Sequence, residues 1–114
     1  MKASLIALLA LTTSCAYIPK RHDPAEMLLL TELRVDLDYV SCDNPQTGWL
    51  TVEREAKKIA LYATERKELQ ASTLQNVVQN IQTARSSESL CQATLDLARL
   101  NTDIVISSWS SRRR

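Results

Sequence analysis

The sequence predicts an all-α protein, a small bundle of three or four helices, on three observations. The chain is rich in good helix formers such as Ala, Leu, Glu and Gln, and it has one glycine in 114 residues. It contains no Asn-Gly or Asp-Gly pair, the dipeptides typical of β-hairpin turns. Apolar residues recur at helical spacing and nowhere alternate with polar ones over a sustained stretch.

The first helix is predicted to begin at Asp23 and to run to about Ser41. Asp23 can cap it, Pro24 suits its first turn, and Glu26 completes a capping-box-like pair. The expected apolar face consists of Met27, Leu30, Leu33 or Arg34, Leu37 and Val40. The polar stretch at 43–48, DNPQTG, predicts a loop.

The second helix is predicted to begin near Leu50–Val52. Its apolar stripe consists of Val52, Ala56, Ile59, Ala60 and Ala63. The stripe loses phase around 66–72, and the residues at 72–75, STLQ, resemble a fresh capping box. The pattern then resumes with Leu74, Val77, Val78, Ile81 and Ala84. One long bent helix and two separate helices both fit, and a break is favoured.

The last helix is predicted over about Ser89–Ser107, with two lines of apolar residues. The main line is Leu90, Ala93, Leu97, Leu100 and Ile104, and a second line widens it through Cys91, Leu95, Ala98 and Val105. We expect Trp109 and the tail after it to fray.

The N-terminal residues have the layout of a secretory signal peptide. Lys2 precedes an uncharged apolar run at 5–11, and small residues follow at 12–14. A membrane-spanning helix needs about 20 apolar residues. The run therefore predicts an export signal and not a transmembrane anchor.

The stretch LTTSC at 11–15 resembles the lipobox of bacterial lipoproteins, although Thr12 stands where leucine is usual. The resemblance implies that the signal is removed and that Cys15 carries acyl chains such as palmitate. It further implies the periplasmic face of the outer membrane, because Ala16 follows the cysteine where inner-membrane lipoproteins often have Asp. The alternative is an ordinary signal peptide cut near Ala16, which leaves a secreted periplasmic protein.

The chain thus divides into a lipoprotein signal peptide (1–14), a tether (15–22), a helical domain (23–109) and a basic tail (110–114). Cys42 and Cys91 remain besides the lipidated cysteine. In an oxidising compartment such a pair predicts a disulfide, which would join the end of the first helix to the start of the last. The alternatives are two free thiols or a pair of metal ligands. A zinc site needs about four ligands, and only His22 could join the two thiols. We therefore expect no metal.

Composition argues against nucleic-acid binding and against catalysis. The chain has 14 Lys and Arg against 13 Asp and Glu, so loss of Lys2 leaves a formally neutral protein. His22, the only histidine, lies in the tether, where a general base would not be held in place. The carboxylate pairs Asp36/Asp38 and Glu53/Glu55 have a spacing that points them to different helix faces, so we expect both pairs to be solvated. No cofactor is expected.

Two features could contact a partner. Trp49, beside Gly48, is either a lid over the bundle end or an exposed anchor. Arg112, Arg113 and Arg114 could touch a membrane or another polyanion, or could simply be solvated.

The sequence therefore favours a membrane-anchored lipoprotein that is not an enzyme and acts by binding a component of the cell envelope, most simply a protein. It is similar to the small envelope lipoproteins of phages and enteric bacteria. One version is an outer-membrane spanin, which joins an inner-membrane partner during lysis, although spanins are usually shorter and Pro-rich. Another is a superinfection-exclusion or inhibitor lipoprotein. A small envelope hydrolase is the remote alternative.

Overall fold

The computed structural model describes residues 23–44 and 47–111, and this part of the chain is all-helical. Its helices are α1 (Pro24–Leu37), α2 (Trp49–Glu65), α3 (Ala71–Ser86) and α4 (Cys91–Ser111). None of these described helices is both long enough and apolar enough to cross a membrane. The four-helix alternative is thus confirmed, and so is the break between residues 66 and 70.

Contacts between helix ends show that the four helices run up, down, up and down. The start of α1 meets the end of α2, because Tyr62 donates a hydrogen bond to Asp23. The start of α2 meets the end of α3 through the ion pair of Glu53 with Arg85. Gln70, at the start of α3, donates to the Ser108 hydroxyl near the end of α4. Each helix is therefore antiparallel to the next along the chain.

The bundle core is built from the predicted stripes of the first three helices. From α1 and the segment after it come Leu30, Leu33, Leu37 and Val40; from α2, Val52, Ala56, Ile59, Ala60 and Ala63; and from α3, Leu74, Val77, Ile81 and Ala84. All of these side chains are buried, whereas Met27 and Val78 of the predicted stripes are only partly buried and pack against the core. Helical periodicity therefore identified the inward faces of α1, α2 and α3.

The first helix is shorter than predicted, ending at Leu37 and not at Ser41. The N–H of Asp38 returns to the carbonyl of Val35, so the last turn tightens. Val40 still reaches the core, 4 % exposed, from outside the helix. The Asp23 carboxylate caps the helix as predicted, accepting from the N–H of Ala25. Glu26 does not serve as a capping partner, because its side chain is buried.

The predicted capping box at 72–75 is also wrong. Helix α3 begins at Ala71 after Gln70, and no side chain caps it. A Schellman motif at the end of α2 positions this start instead. Glu68 N–H donates to the Ala63 carbonyl and Lys67 N–H to the Thr64 carbonyl.

The last helix begins two residues later and ends four residues later than predicted. Trp109 does not fray, because its side chain lies fully buried in the core. Such burial of an indole can hold the last turns of a helix in place.

Candidate functional site

Helix α4 carries two lines of mainly apolar residues on different sides. One line faces the core and consists of Cys91, Leu95, Ala98, Thr102, Val105 and Trp109. Its members are spaced alternately by four and three residues, the heptad spacing of helix-on-helix packing. Thr102 fits this line because its hydroxyl donates to the Ala98 carbonyl, 2.7 Å away.

The other line faces solvent, and we call it the outer stripe. Leu97, Leu100 and Ile104 are 47 %, 55 % and 51 % exposed, and Leu90, just before the helix, is 50 % exposed. Ala93 completes the stripe and is also exposed. The prediction that this was the main core line is wrong. The second line, expected only to widen the face, forms the core contact.

The outer stripe has an acidic edge and an uncharged edge. Asp96 and Asp103, one heptad apart, lie on the side towards α1, where Arg34 Nε donates to Asp103 Oδ1 over 2.7 Å. The other edge carries Thr94, Asn101 and Ser108. Two aspartates therefore flank an exposed apolar seam on one side only.

Arginines fix the acidic edge against α1. Arg34 also contacts Asp38 at 2.6 Å, and the carboxylates of Asp38 and Asp103 raise the pKa of the Arg34 guanidinium. Arg99 donates to the Leu37 carbonyl, 2.9 Å away, at the open end of α1. These bonds hold α1 and α4 together and leave the outer stripe uncovered by the described residues.

The predicted disulfide is present between Cys42 and Cys91, whose Cα atoms are 5.9 Å apart. It ties the loop after α1 to the first residue of α4. Trp49 is 1 % exposed, and its indole Nε1 donates to the Ser41 carbonyl over 3.2 Å. The lid interpretation of Trp49 is therefore correct, and Trp49 cannot serve as an exposed partner contact. Cys15, His22 and the arginines at 112–114 lie outside the described residues.

The carboxylates at 53 and 55 are not simply solvated, contrary to expectation. Glu53 accepts a hydrogen bond from Arg85, 2.7 Å away, and its side chain is 15 % exposed. Glu55 is half-buried against α1. Burial, followed by a hydrogen bond to Asp36 and its negative charge, raises the pKa of Glu55 to about 7.

A buried acidic cluster at the other end of the α1–α2 interface was missed from the sequence. Glu26 is fully buried, and Glu68 is 6 % exposed. Burial, then a hydrogen bond to Glu68 and its negative charge, raises the pKa of Glu26 to about 9. One signal was available: Glu26 lies four residues before Leu30, in register with the buried face of α1.

The outer stripe offers an exposed apolar surface. Within 23–44 and 47–111, no three His, Cys, Asp or Glu residues are placed to hold a metal ion. Searches against protein-family models, curated proteins and solved structures found no match to this chain.

Proposed function

We propose that this protein is an exported, lipid-anchored lipoprotein that acts without catalysis, by binding a helix of another envelope protein through the outer stripe of α4. The exposed heptad of Leu97, Leu100 and Ile104 carries this proposal. Apolar residues at alternating spacings of three and four form the seam along which one helix packs on another. Contiguous exposed apolar surface marks interaction sites.

The charge on the stripe's edges favours a partner helix with basic residues beside its own apolar seam. Three aspartates (Asp38, Asp96 and Asp103) stand against two arginines (Arg34 and Arg99) on that edge, so a net negative charge remains to face those residues. The uncharged edge imposes no such demand. A second copy of α4 fits less well. Antiparallel pairing sets the two acidic edges against each other, and parallel pairing sets each against uncharged residues.

A lipid on Cys15 would keep this surface close to the membrane. The tether of residues 15–22 can extend about 3.5 Å per residue, so the domain would stay within roughly 30 Å of the acyl anchor. The partner helix is therefore expected near the membrane surface.

Site-specific photo-crosslinking in cells tests the binding surface. A photoreactive residue at position 100 of the full chain should crosslink to one envelope protein, whose sequence contains an apolar heptad with Lys or Arg beside it. The same residue at position 61, in place of a leucine that is 62 % exposed on α2, should not. Leu97→Glu and Ile104→Glu should abolish the crosslink, and Leu61→Glu should leave it unchanged.

Circular dichroism should show equal helicity in all these variants, since every altered side chain is already exposed. Equal crosslinking from positions 61 and 100, or a crosslink that survives Leu97→Glu, would contradict the proposal. A crosslink between two copies of the chain would assign the stripe to a homodimer. A crosslink to lipid would assign it to the membrane. Either result would overturn the proposed occupant.

Anchoring is tested separately with Cys15→Ser. The wild-type protein should partition into detergent and carry the mass of its acyl chains, because two or three such chains anchor a protein stably to a membrane. The variant should lose both properties, while Cys42→Ser with Cys91→Ser should keep them. Unchanged mass and partitioning in Cys15→Ser would refute lipidation and leave the crosslinking result to stand alone.

A further inference from the structure

The interface between α1 and α2 contains more carboxylates than its cations can pair. At one end, Glu26 of α1 faces Glu68 in the turn after α2, and both are buried. Arg66 is the cation there: its Nε lies 3.2 Å from Glu68 Oε1, and its Nη1 lies 2.6 Å from Asp23 Oδ2. One guanidinium already serves two carboxylates, so Glu26 must keep its proton to remain buried.

The described ends of α3 and α4 bring no further charge to this end of the interface. From α2, Tyr62 donates its hydroxyl to Asp23, and that hydrogen bond lowers the pKa of Asp23. The first turn of α3 (71–74, ASTL) and the last residues of α4 (108–111, SWSS) carry no charge. The positive charge of Arg66 and the negative charges of Asp23 and Glu68 are therefore what Glu26 meets.

A second acidic contact lies farther along the same interface. Glu55 of α2 meets Asp36 and Glu32 of α1, and Lys58 is the cation acting on it. Like Glu26, Glu55 is easier to bury against these acids while it is protonated. Both contacts join α1 to α2 or to the turn that follows α2.

We propose that the α1–α2 interface is a proton-operated latch, in which protonated Glu26 and Glu55 hold α1 in place and loss of these protons loosens its N-terminal end. The other end of α1 stays fixed, because Cys42, five residues beyond Leu37, is bonded to Cys91 of α4. The disulfide thus acts as the hinge. The loosened end continues directly into the tether at residue 22.

The direction of the pH dependence follows from the raised pKa values. Glu26 has an ordinary value of 4.5 and is raised to about 9, so in the unfolded chain it releases its proton first. Its stabilising effect is complete below about pH 4.5 and is lost as the pH rises towards 9. Glu55 loses its contribution between 4.5 and about 7. We therefore expect α1 to loosen progressively from pH 5 to pH 9.

Amide hydrogen exchange on the full chain between pH 6 and pH 9 tests the latch. Each variant is compared with wild type at the same pH, which cancels the intrinsic pH dependence of exchange. Residues 24–31 of wild type should be less protected from exchange at pH 8–9 than the same residues of Glu26→Gln. The glutamine side chain stays neutral at every pH and so mimics protonated Glu26. Protection of α3 and α4 should match between the two. Glu55→Gln should differ from wild type increasingly from about pH 5 and reach its full difference by about pH 7.5, because wild-type Glu55 has lost its proton by then.

Glu65→Gln provides the matched control, since Glu65 is exposed at the same end of α2. It should behave as wild type at every pH. Identical pH dependence in wild type and Glu26→Gln would overturn the proposal. So would a loss of protection that spreads equally over all four helices, which is global unfolding. If Glu26→Gln fails to fold, Glu68→Gln is the second variant, and it should keep residues 24–31 protected from exchange at pH 9. Loss of that protection in Glu68→Gln would overturn the latch.

Discussion

Lys67, in the turn between α2 and α3, has a backbone conformation that glycine favours. Its φ is 55°, in the left-handed region, and it occupies the position of the Schellman motif that glycine usually fills. The turn that it makes brings Glu68 inward against Glu26. One strained residue thus ends α2 and also positions the buried acid.

We expect Lys67→Gly to stabilise the protein by about 1 kcal/mol, because the cost of a left-handed side-chain residue is removed. The gain is partly offset by the greater freedom of glycine in the unfolded chain. A urea titration measures the difference. Lys57→Gly, on the exposed face of α2, is the contrasting variant and should destabilise by about 1 kcal/mol. Equal destabilisation by both would show that the turn is not strained.

The sequence predicted well where the helices lie along the chain, and less well which face of each helix is buried. Periodicity located the inward stripes of α1, α2 and α3, because each has one apolar face. It could not rank the two lines of α4, because both have heptad spacing. The choice depends on partners distant in sequence: the bond from Cys91 to Cys42 and the burial of Trp109 turn one line inward.

Helix ends and buried acids escaped prediction for a related reason. Helix α3 begins directly after Gln70 because of the backbone hydrogen bonds in the preceding turn. The capping-box pattern at 72–75 carries no information about those bonds. Glu26 resembled a capping residue from its neighbours, yet the turn at 66–70 brings Glu68 and Arg66 around it. Tertiary contacts decide both cases.

At the scale of the whole molecule, the disulfide closes the ring of helices. Each helix packs on its chain neighbours, and α1 also packs on α4 through Arg34 and Arg99. The Cys42–Cys91 bond spans 49 residues of sequence and joins the loop after the first helix covalently to the last helix. The predicted disulfide is thus confirmed, but Cys42 lies in the loop after α1 and not at the end of that helix. The bond lies at the end of the bundle opposite to Glu26.

Reduction should therefore destabilise the bundle strongly. Closing a loop of this length stabilises a fold by about 4 kcal/mol in the chain-entropy model. For a domain of this size the melting temperature should fall by at least about 10 °C. Differential scanning calorimetry with and without reductant measures the change, and Cys42→Ser with Cys91→Ser should melt like the reduced protein and ignore reductant. Two alkylatable thiols in native protein that has been exported to the periplasm of a bacterial expression host would contradict the bond. Reduction would also remove the hinge of α1. At pH 6, reduced protein should therefore show low exchange protection throughout α1, whereas α1 of the oxidised protein should remain protected.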